Sequence, residues 1–289
     1  MVAWLDTIIQ GILLGGLYAL YATGLSLIFG IMRLVNLAHG DLIVFAAFLI
    51  LALANALGID SVLAFVIAVP IMFALGYALQ ALLFNRTLGI DILPPLLVSF
   101  GLSIVIQNGL LQGFSADSRR LPIGDIAGIS LPLGGGIAVG VMPLLSLAAA
   151  ILVVLGLNLL SYRTGLGRAL RATSDDAETA QLMGVDNERM YAVAMGLAMA
   201  VCAVAAFFLG SRAPFDPTIG PARLIYAFEA VIIGGLGSLW GTLAGGIVVG
   251  VAQTVGASIN PEWQILSGHV AFLVVLILRP RGFFPRAVD

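Results

Sequence analysis

The sequence predicts an all-α fold: a polytopic transmembrane helical bundle of about eight or nine spans, forming one domain over residues 1–289. Three observations carry this expectation. Apolar runs of about 18 residues or more recur along the chain, each long enough to cross roughly 30 Å of hydrocarbon as a helix. Only 10% of residues are charged against 61% hydrophobic, with a mean hydropathy of +1.11, so lipid rather than water has to be the main solvent. The alternating polar and apolar residues of a membrane barrel are absent.

The elements follow in order, with boundaries blurred by interrupting Gly and Pro. The first span covers roughly 7–29 and ends near Gly30, the second 38–54 and the third 62–84. A polar, proline-containing turn from Asn85-Arg86-Thr87 to Pro94-Pro95 leads into a span at about 96–114. Residues 115–142 hold Asp117, Arg119, Arg120, Pro122, Pro132 and the run Gly134-Gly135-Gly136, which marks an exposed loop with room for a short hairpin. A span at about 143–161 precedes the longest charged segment, residues 162–189. Further spans fall at about 190–210, 222–236, 239–258 and 264–278, before a short basic tail that includes Arg279, Arg281 and Arg286.

All 13 basic residues are arginine, and the positive-inside rule orients them. Nine spans with 162–189 inside put nine arginines in the cytoplasm and four outside, with the N-terminus outside and the C-terminus inside. The region Gly30–Gly40 and the short span near 222–236 are the places where this count can change. The net charge of −2 is too small to imply a nucleic-acid partner. Cys202, the single cysteine, excludes an intrachain disulfide, and only His39 and His269 are available as imidazole ligands, so no metal site is expected. The first basic residue is Arg33, so the first apolar run reads as a retained helix and not as a cleaved signal.

Four constellations stand out. Between the first two spans, Asn36-Leu37-Ala38-His39-Gly40-Asp41 is rich in polar groups. A broken helix within the membrane would need protein or water around its backbone, and its ends can bind a solute's charges. The same residues also suit a cytoplasmic turn, with Asn36 or Asp41 capping a helix. Residues 162–189 contain Arg168 and Arg171, then a run that Asp175 opens, with Glu178 three residues later as a carboxylate version of the capping pattern. Ala177 to Met183 are helix formers and Gly184 can stop the helix. Gly234, Gly237, Gly241, Gly245, Gly246 and Gly250 form a series in which 237 with 241, 241 with 245 and 246 with 250 stand four apart, as do Gly11 and Gly15, a spacing that lets helix backbones approach closely in lipid. Glu229 is a carboxylate at membrane depth, costing about 2.5–3.5 kcal/mol on insertion scales, and it reads either as a functional group or as a partly solvated ion pair with Arg223 or a helix-terminal residue. Gln107, Asn108 and Asn158 read as interhelical hydrogen-bond groups.

Glu178-Thr179-Ala180-Gln181-Leu182-Met183-Gly184 resembles the opening of the EAA loop of ABC import permeases, although Ala194 and Leu197 stand where that pattern has Ile and Pro. More widely, Gly24 to Gly30 with Asn36 to Asp41, Arg168 to Ala172 with Ala180 to Val185, and Phe228 to Ser238 with Gly241 and Gly246 are similar to the LivH-type permeases of bacterial branched-chain (hydrophobic) amino acid ABC uptake systems. The resemblance covers nearly the whole chain. It implies a bacterial inner-membrane importer: a heterodimeric pore with a second related permease, two cytoplasmic ATPases and a periplasmic substrate-binding protein. It makes Asn36, His39, Gly40, Asp41 and Glu229 candidates for the translocation pathway. Arg168, Arg171, Glu178, Ala180 and Gly184 become candidates for ATPase coupling. The family also takes in importers of urea, short-chain amides and aromatic acids.

The sequence has no Walker A pattern, so no cofactor is expected in this chain, and ATP with Mg is expected on the partner ATPases. Transport driven by an ion gradient, with Glu229 or His39 relaying protons, is the alternative. An enzyme is disfavoured because no nucleophile, metal or acid–base pair is arranged for chemistry.

Overall fold

The computed structural model describes residues 2–88, 91, 93–134 and 136–284; Gly135 and Arg286, used in the reading above, lie outside the described residues. Among the described residues eleven α-helices follow in order: α1 (Val2–Met32), α2 (His39–Leu57), α3 (Ser61–Leu82), α4 (Leu93–Phe114), α5 (Val141–Arg163), α6 (Gly165–Asp175), α7 (Ala177–Leu182), α8 (Asn187–Arg212), α9 (Gly220–Gly234), α10 (Leu239–Ile259) and α11 (Trp263–Leu278). The loop before α5 carries the expected hairpin, β1 (Ser130–Gly134) against β2 (Ile137–Gly140), antiparallel.

Among the described residues seven helices are long and apolar enough to cross a bilayer: α1, α2, α3, α4, α5, α8 and α10. With 15 and 16 residues, α9 and α11 run only about 22–24 Å at 1.5 Å per residue, short of the hydrocarbon thickness. The eight or nine spans expected thus become seven full-length helices and two shorter ones. Local chemistry shortens α9. Pro221 stands in its first turn, where a missing N–H costs nothing, and Gly235 at φ +103° ends it.

The bundle is built around α1 and α8, whose apolar windows are 83% and 78% buried, whereas those of α3, α4 and α5 are only 22% buried and turn their apolar faces outward. In lipid there is no hydrophobic gain from pairing two apolar faces, so close backbone packing has to hold the centre. Glycine supplies it. A Cβ on Gly246 of α10 would fall 2.7 Å from both the Gly15 carbonyl and the Ala19 nitrogen of α1, and one on Gly11 would fall 2.6 Å from the Cα of Val251. Gly250 meets Gly11 and Gly15 in the same way, and Gly241 and Gly245 meet Gly234 and Ala230 of α9. Five of the six glycines singled out by spacing therefore lie in helix–helix seams. Gly237 does not: it sits at φ +80° in the turn between α9 and α10, where left-handed backbone favours glycine for a different reason.

Candidate functional site

The connection from α1 to α2 is the first unusual feature. Arg33 adopts left-handed φ (51°), the chain reverses, and residues 34–38 run back into the bundle before α2 begins. His39, at the start of α2, lies beside the Tyr21 carbonyl (Nε2 to O, 2.8 Å) and against Gly24. Those α1 residues precede Met32 by eight to eleven positions, or about 12–17 Å along the helix. Asn36, His39 and Asp41 are 0–1% exposed, so these side chains are packed inside the bundle and not displayed on a surface turn. Asn36 does not cap α2, whose cap position is Ala38. Its Oδ1 instead accepts from the Ala38 N–H at 3.0 Å and shapes the turn, while its Nδ2 is buried without a partner.

Buried polar groups without water need protein partners, and α4 supplies them. Ser99 Oγ accepts the Leu37 N–H at 3.1 Å, Ser103 Oγ donates to Asp41 Oδ2 at 2.6 Å, and Gln107 Nε2 donates to Asp41 Oδ1 at 3.0 Å. On the other side the first turns of α2 and α9 touch backbone to backbone. A Cβ on Gly40 would sit 2.9 Å from the Leu224 nitrogen, and one on Gly220 would lie 2.7 Å from the Asp41 carboxyl carbon. Asp41 thereby joins three helices. The His39 ring faces a carbonyl, which can only accept, so the ring carries a proton on Nε2; Cys202 Sγ lies 3.8 Å away.

Glu229 is buried on α9 and paired with His269 Nδ1 of α11, not with Arg223 as an ion pair would have it. Arg223 lies instead over the Tyr226 ring at 5.9 Å. Tyr226 stacks on Tyr18 (4.9 Å) and on the His269 ring (6.5 Å), and Tyr18 OH donates to Gln253 Oε1 at 2.6 Å. This aromatic and polar chain links α1, α9, α10 and α11. Sequence reading did not find Tyr18, Tyr226 or Gln253, because no local spacing connects them. Among the described residues no group of three or more His, Cys, Asp or Glu side chains is placed to hold a metal ion.

The polar segment after α5 folds as two helices. The sequence reading anticipated one. Thr164 caps α6 by accepting from Gly167 N–H at 3.0 Å, and Leu170 and Thr173 turn inward. The cap of α7 is Asp176, which accepts from Thr179 N–H at 3.1 Å; Asp175, expected there, instead ends α6. Hydrogen bonds from Thr179 hold the Asp176 carboxyl below the ordinary aspartate range. Gly184 at φ +87° follows the end of α7. Ala180 is buried and Glu178 and Arg168 are exposed, while Arg171 lies 4.5 Å above the Tyr162 ring. Leu182 and Met183, not singled out by sequence reading, are 82% and 81% exposed at the tip. Behind this tip the segment is fastened firmly. Ser174 Oγ donates to the Gly30 carbonyl of α1, and Asn187 of α8 bonds both Thr173 and the Ala177 carbonyl. A cavity of about 340 Å³ opens where α6 meets the Met32 end of α1, lined in part by Ser26, Asn158, Tyr162, Arg171 and Trp240.

Comparison with known proteins gives this geometry a context. Residues 7–278 match the family described as "Branched-chain amino acid transport system / permease component". The chain belongs to this family. It is 31% identical to the high-affinity branched-chain amino acid transport system permease protein BraD of Pseudomonas aeruginosa, over 98% of this chain and 96% of that one. It is 27% identical to the corresponding permease protein LivH of Escherichia coli K12, with the same coverage. PsaBC from Streptococcus pneumoniae in complex with Fab superposes at a TM-score of 0.51 with 16% identity, covering 97% of each chain, which shows a shared fold. The chain is thus a multi-pass membrane permease, an all-α ABC transporter subunit of LivH type.

Proposed function

We propose that this permease is the membrane-spanning subunit of an ATP-driven importer that moves branched-chain or other hydrophobic amino acids into the cytoplasm by alternating access. The amino-acid class is carried over from the similar BraD and LivH permeases. The observation that carries the mechanism is the α6–α7 segment. An exposed apolar pair, Leu182 and Met183, projects from the end of α7, whose first residue is held by Asn187 of α8, and the adjoining α6 is hydrogen-bonded to both central helices, α1 and α8. Exposed apolar side chains at a projecting tip suit a protein partner more than lipid or water. A push on that tip reaches the bundle centre through two helices that close-packed neighbours hold rigid.

In this reading α7 seats on one of two cytoplasmic ATPase subunits, which bind ATP with Mg. Arg168, Arg171, Glu178, Ala180 and Gly184 then belong to the coupling element. Solute passes beside the 33–41 segment, where Asn36, His39, Gly40 and Asp41 line or support the pathway together with Glu229. The outward-facing surfaces of α3, α4 and α5 leave room for a second, related permease, and the N-terminus lies on the periplasmic side of the inner membrane, facing a substrate-binding protein. Gly234, Gly241, Gly245, Gly246 and Gly250 keep the α1–α9–α10 unit closed.

The test is uptake of labelled leucine into vesicles holding this chain with its ATPase, permease and binding-protein partners. ATP-dependent accumulation that survives collapse of the proton gradient is expected. Gradient-driven uptake with no ATPase present would overturn the reading.

A further inference from the structure

The cavity at the Met32 end of α1 opens among four helices. Ser26 comes from α1, Asn158 and Ser161 from α5, Arg171 from α6, and Ser238 and Trp240 from the start of α10. At about 340 Å³ it has the size of a small-ligand site. Hydroxyls, an amide and a guanidinium make up its polar wall, and all of them can donate hydrogen bonds. No Asp or Glu side chain lines it, and Asp175, one turn beyond Arg171 on α6, is not part of the wall. Two donors there lack an acceptor. Ser26 is 0% exposed and its hydroxyl has no partner, and Arg171 Nε is buried without one. The Arg171 guanidinium lies 4.5 Å above the Tyr162 ring, and among the described residues no carboxylate is within ion-pair distance of it.

The first turn of α10 adds backbone donors. Gly241 N–H bonds the Ser238 hydroxyl at 3.1 Å and Thr242 N–H bonds the Ser238 carbonyl at 2.8 Å, which leaves the Leu239 and Trp240 amides without an intrahelical acceptor. They form the electropositive end of a 21-residue helix, and both residues line the cavity. A guanidinium, a helix N-terminus and an unpartnered hydroxyl on one wall, with no acid among them, call for an oxyanion. Donors arriving from three helices suit the several oxygens of a phosphate better than the two of a carboxylate. The exposed part of the wall is aromatic: Tyr162, Trp240 and Phe284 are 44–60% exposed. Tyr162 closes the membrane-spanning helix α5 and Trp240 opens α10. Tyr and Trp at the ends of spanning helices sit at the level of lipid headgroups, where basic pockets between helices receive anionic lipids.

We propose that this cavity binds the headgroup phosphate of an anionic phospholipid, with Arg171, Ser26 and the first amides of α10 as donors and with the acyl chains leaving past Tyr162 and Trp240 into the bilayer. A lipid bound there ties α6 to α1 and α10 from the membrane side. The inference rests on the importer reading above only in assigning α6, and so the lipid, to the cytoplasmic face.

The experiment is photolabelling of the assembled complex, in vesicles of phosphatidylcholine and phosphatidylglycerol, by a phosphatidylglycerol that carries a diazirine on its headgroup. Peptide mass spectrometry should find the label on peptides holding Tyr162, Arg171 or Trp240. Unlabelled phosphatidylglycerol should compete, whereas extra phosphatidylcholine and millimolar inorganic phosphate should not. Arg171→Gln should lower the labelling about tenfold, the loss expected for one charge-assisted hydrogen bond. Arg163→Gln, at an exposed arginine outside the cavity, should leave it unchanged. Equal competition by phosphatidylcholine, or an equal loss in both arginine variants, would overturn the proposal, and competition by inorganic phosphate would make this a site for free phosphate and not for lipid. Label absent from these peptides in the wild type would overturn it however the variants fold. The parent placement is read separately, by an impermeant maleimide on Leu166→Cys in right-side-out and inside-out membrane vesicles. Reaction from the periplasmic side alone would refute the cytoplasmic placement of α6 and leave the phosphate site to stand or fall on the labelling.

Discussion

Ser103 of α4 donates a 2.6 Å hydrogen bond to Asp41 of α2, and Gln107 one turn further along α4 holds the second carboxylate oxygen. The principal neighbour of α4 is α2, and most of the α4 surface faces outward. Asp41 is therefore the clasp that attaches a peripheral helix to the bundle interior, at the point where α2 also touches the first turn of α9.

Replacing Asp41 should release that clasp. Asp41→Ala leaves the Ser103 hydroxyl and Gln107 amide without their acceptor, at a cost of about 1–3 kcal/mol for a buried group left unsatisfied. A lower melting temperature of the purified permease in detergent is expected. Ser103→Ala should cost less, because Gln107 still serves the carboxylate. Equal melting for wild type and Asp41→Ala would remove the clasp from the account.

Glycines on the seam and glycines on the outer face should behave oppositely. Gly246→Leu drives a side chain into the α1 backbone, and overpacking of this kind costs about 1–3 kcal/mol or more. Gly156 on α5 has no atom within 4 Å of a built Cβ. Gly156→Ala should therefore be neutral or gain up to about 1 kcal/mol of helix propensity. Thermal melts of the two variants, measured side by side, check the contrast.

Leu182→Ser with Met183→Ser should abolish copurification of the ATPase subunit while leaving the melting temperature of the permease alone, since both side chains are already in solvent. Pull-down with a tagged permease reads the first effect and differential scanning fluorimetry the second. Retained ATPase binding would remove this tip as the contact.

The α7 cap should titrate. Because hydrogen bonds from Thr179 lower the Asp176 pKa in the folded state, the carboxylate stabilises α7 fully above the ordinary aspartate value. That contribution is lost as pH falls through the lowered folded value. Asp176→Ala should abolish the pH dependence and expose the Thr179 amide, which loses its side-chain acceptor. Hydrogen exchange of a peptide covering 176–184, followed from neutral pH downwards, measures both.

The long helices were legible because hydropathy is a local property: a window of about 18 residues carries the whole signal. The seams were legible too, since Gly241 with Gly245 and Gly246 with Gly250 repeat at a spacing that only a helix places on one face. Gly237 shares the spacing yet lies in a turn, because Gly235 had already ended α9. The helix α6 escaped notice since Gly165, Gly167 and Thr173 are weak helix formers; a threonine cap and the burial of Leu170 hold it. Asp41 was visible as a polar residue beside a span, but its partners lie 62 and 66 residues away on α4. Arg223 reads from sequence as a partner for Glu229, and only the fold shows it over the Tyr226 ring while Glu229 pairs with His269 of α11. Single side-chain contacts between residues far apart in sequence, unlike the glycine seams, leave no periodic trace.

The glycine seams of α1, α9 and α10 bear on how such a bundle can move. Backbones that already touch cannot slide past or rotate against each other without collision, so these three helices have to travel as one stiff beam. A beam of that kind carries force well but cannot itself open a passage. In the importer proposed above, opening would then fall to parts that side chains alone hold in place, among them α4, fastened by Ser103 and Gln107 to Asp41.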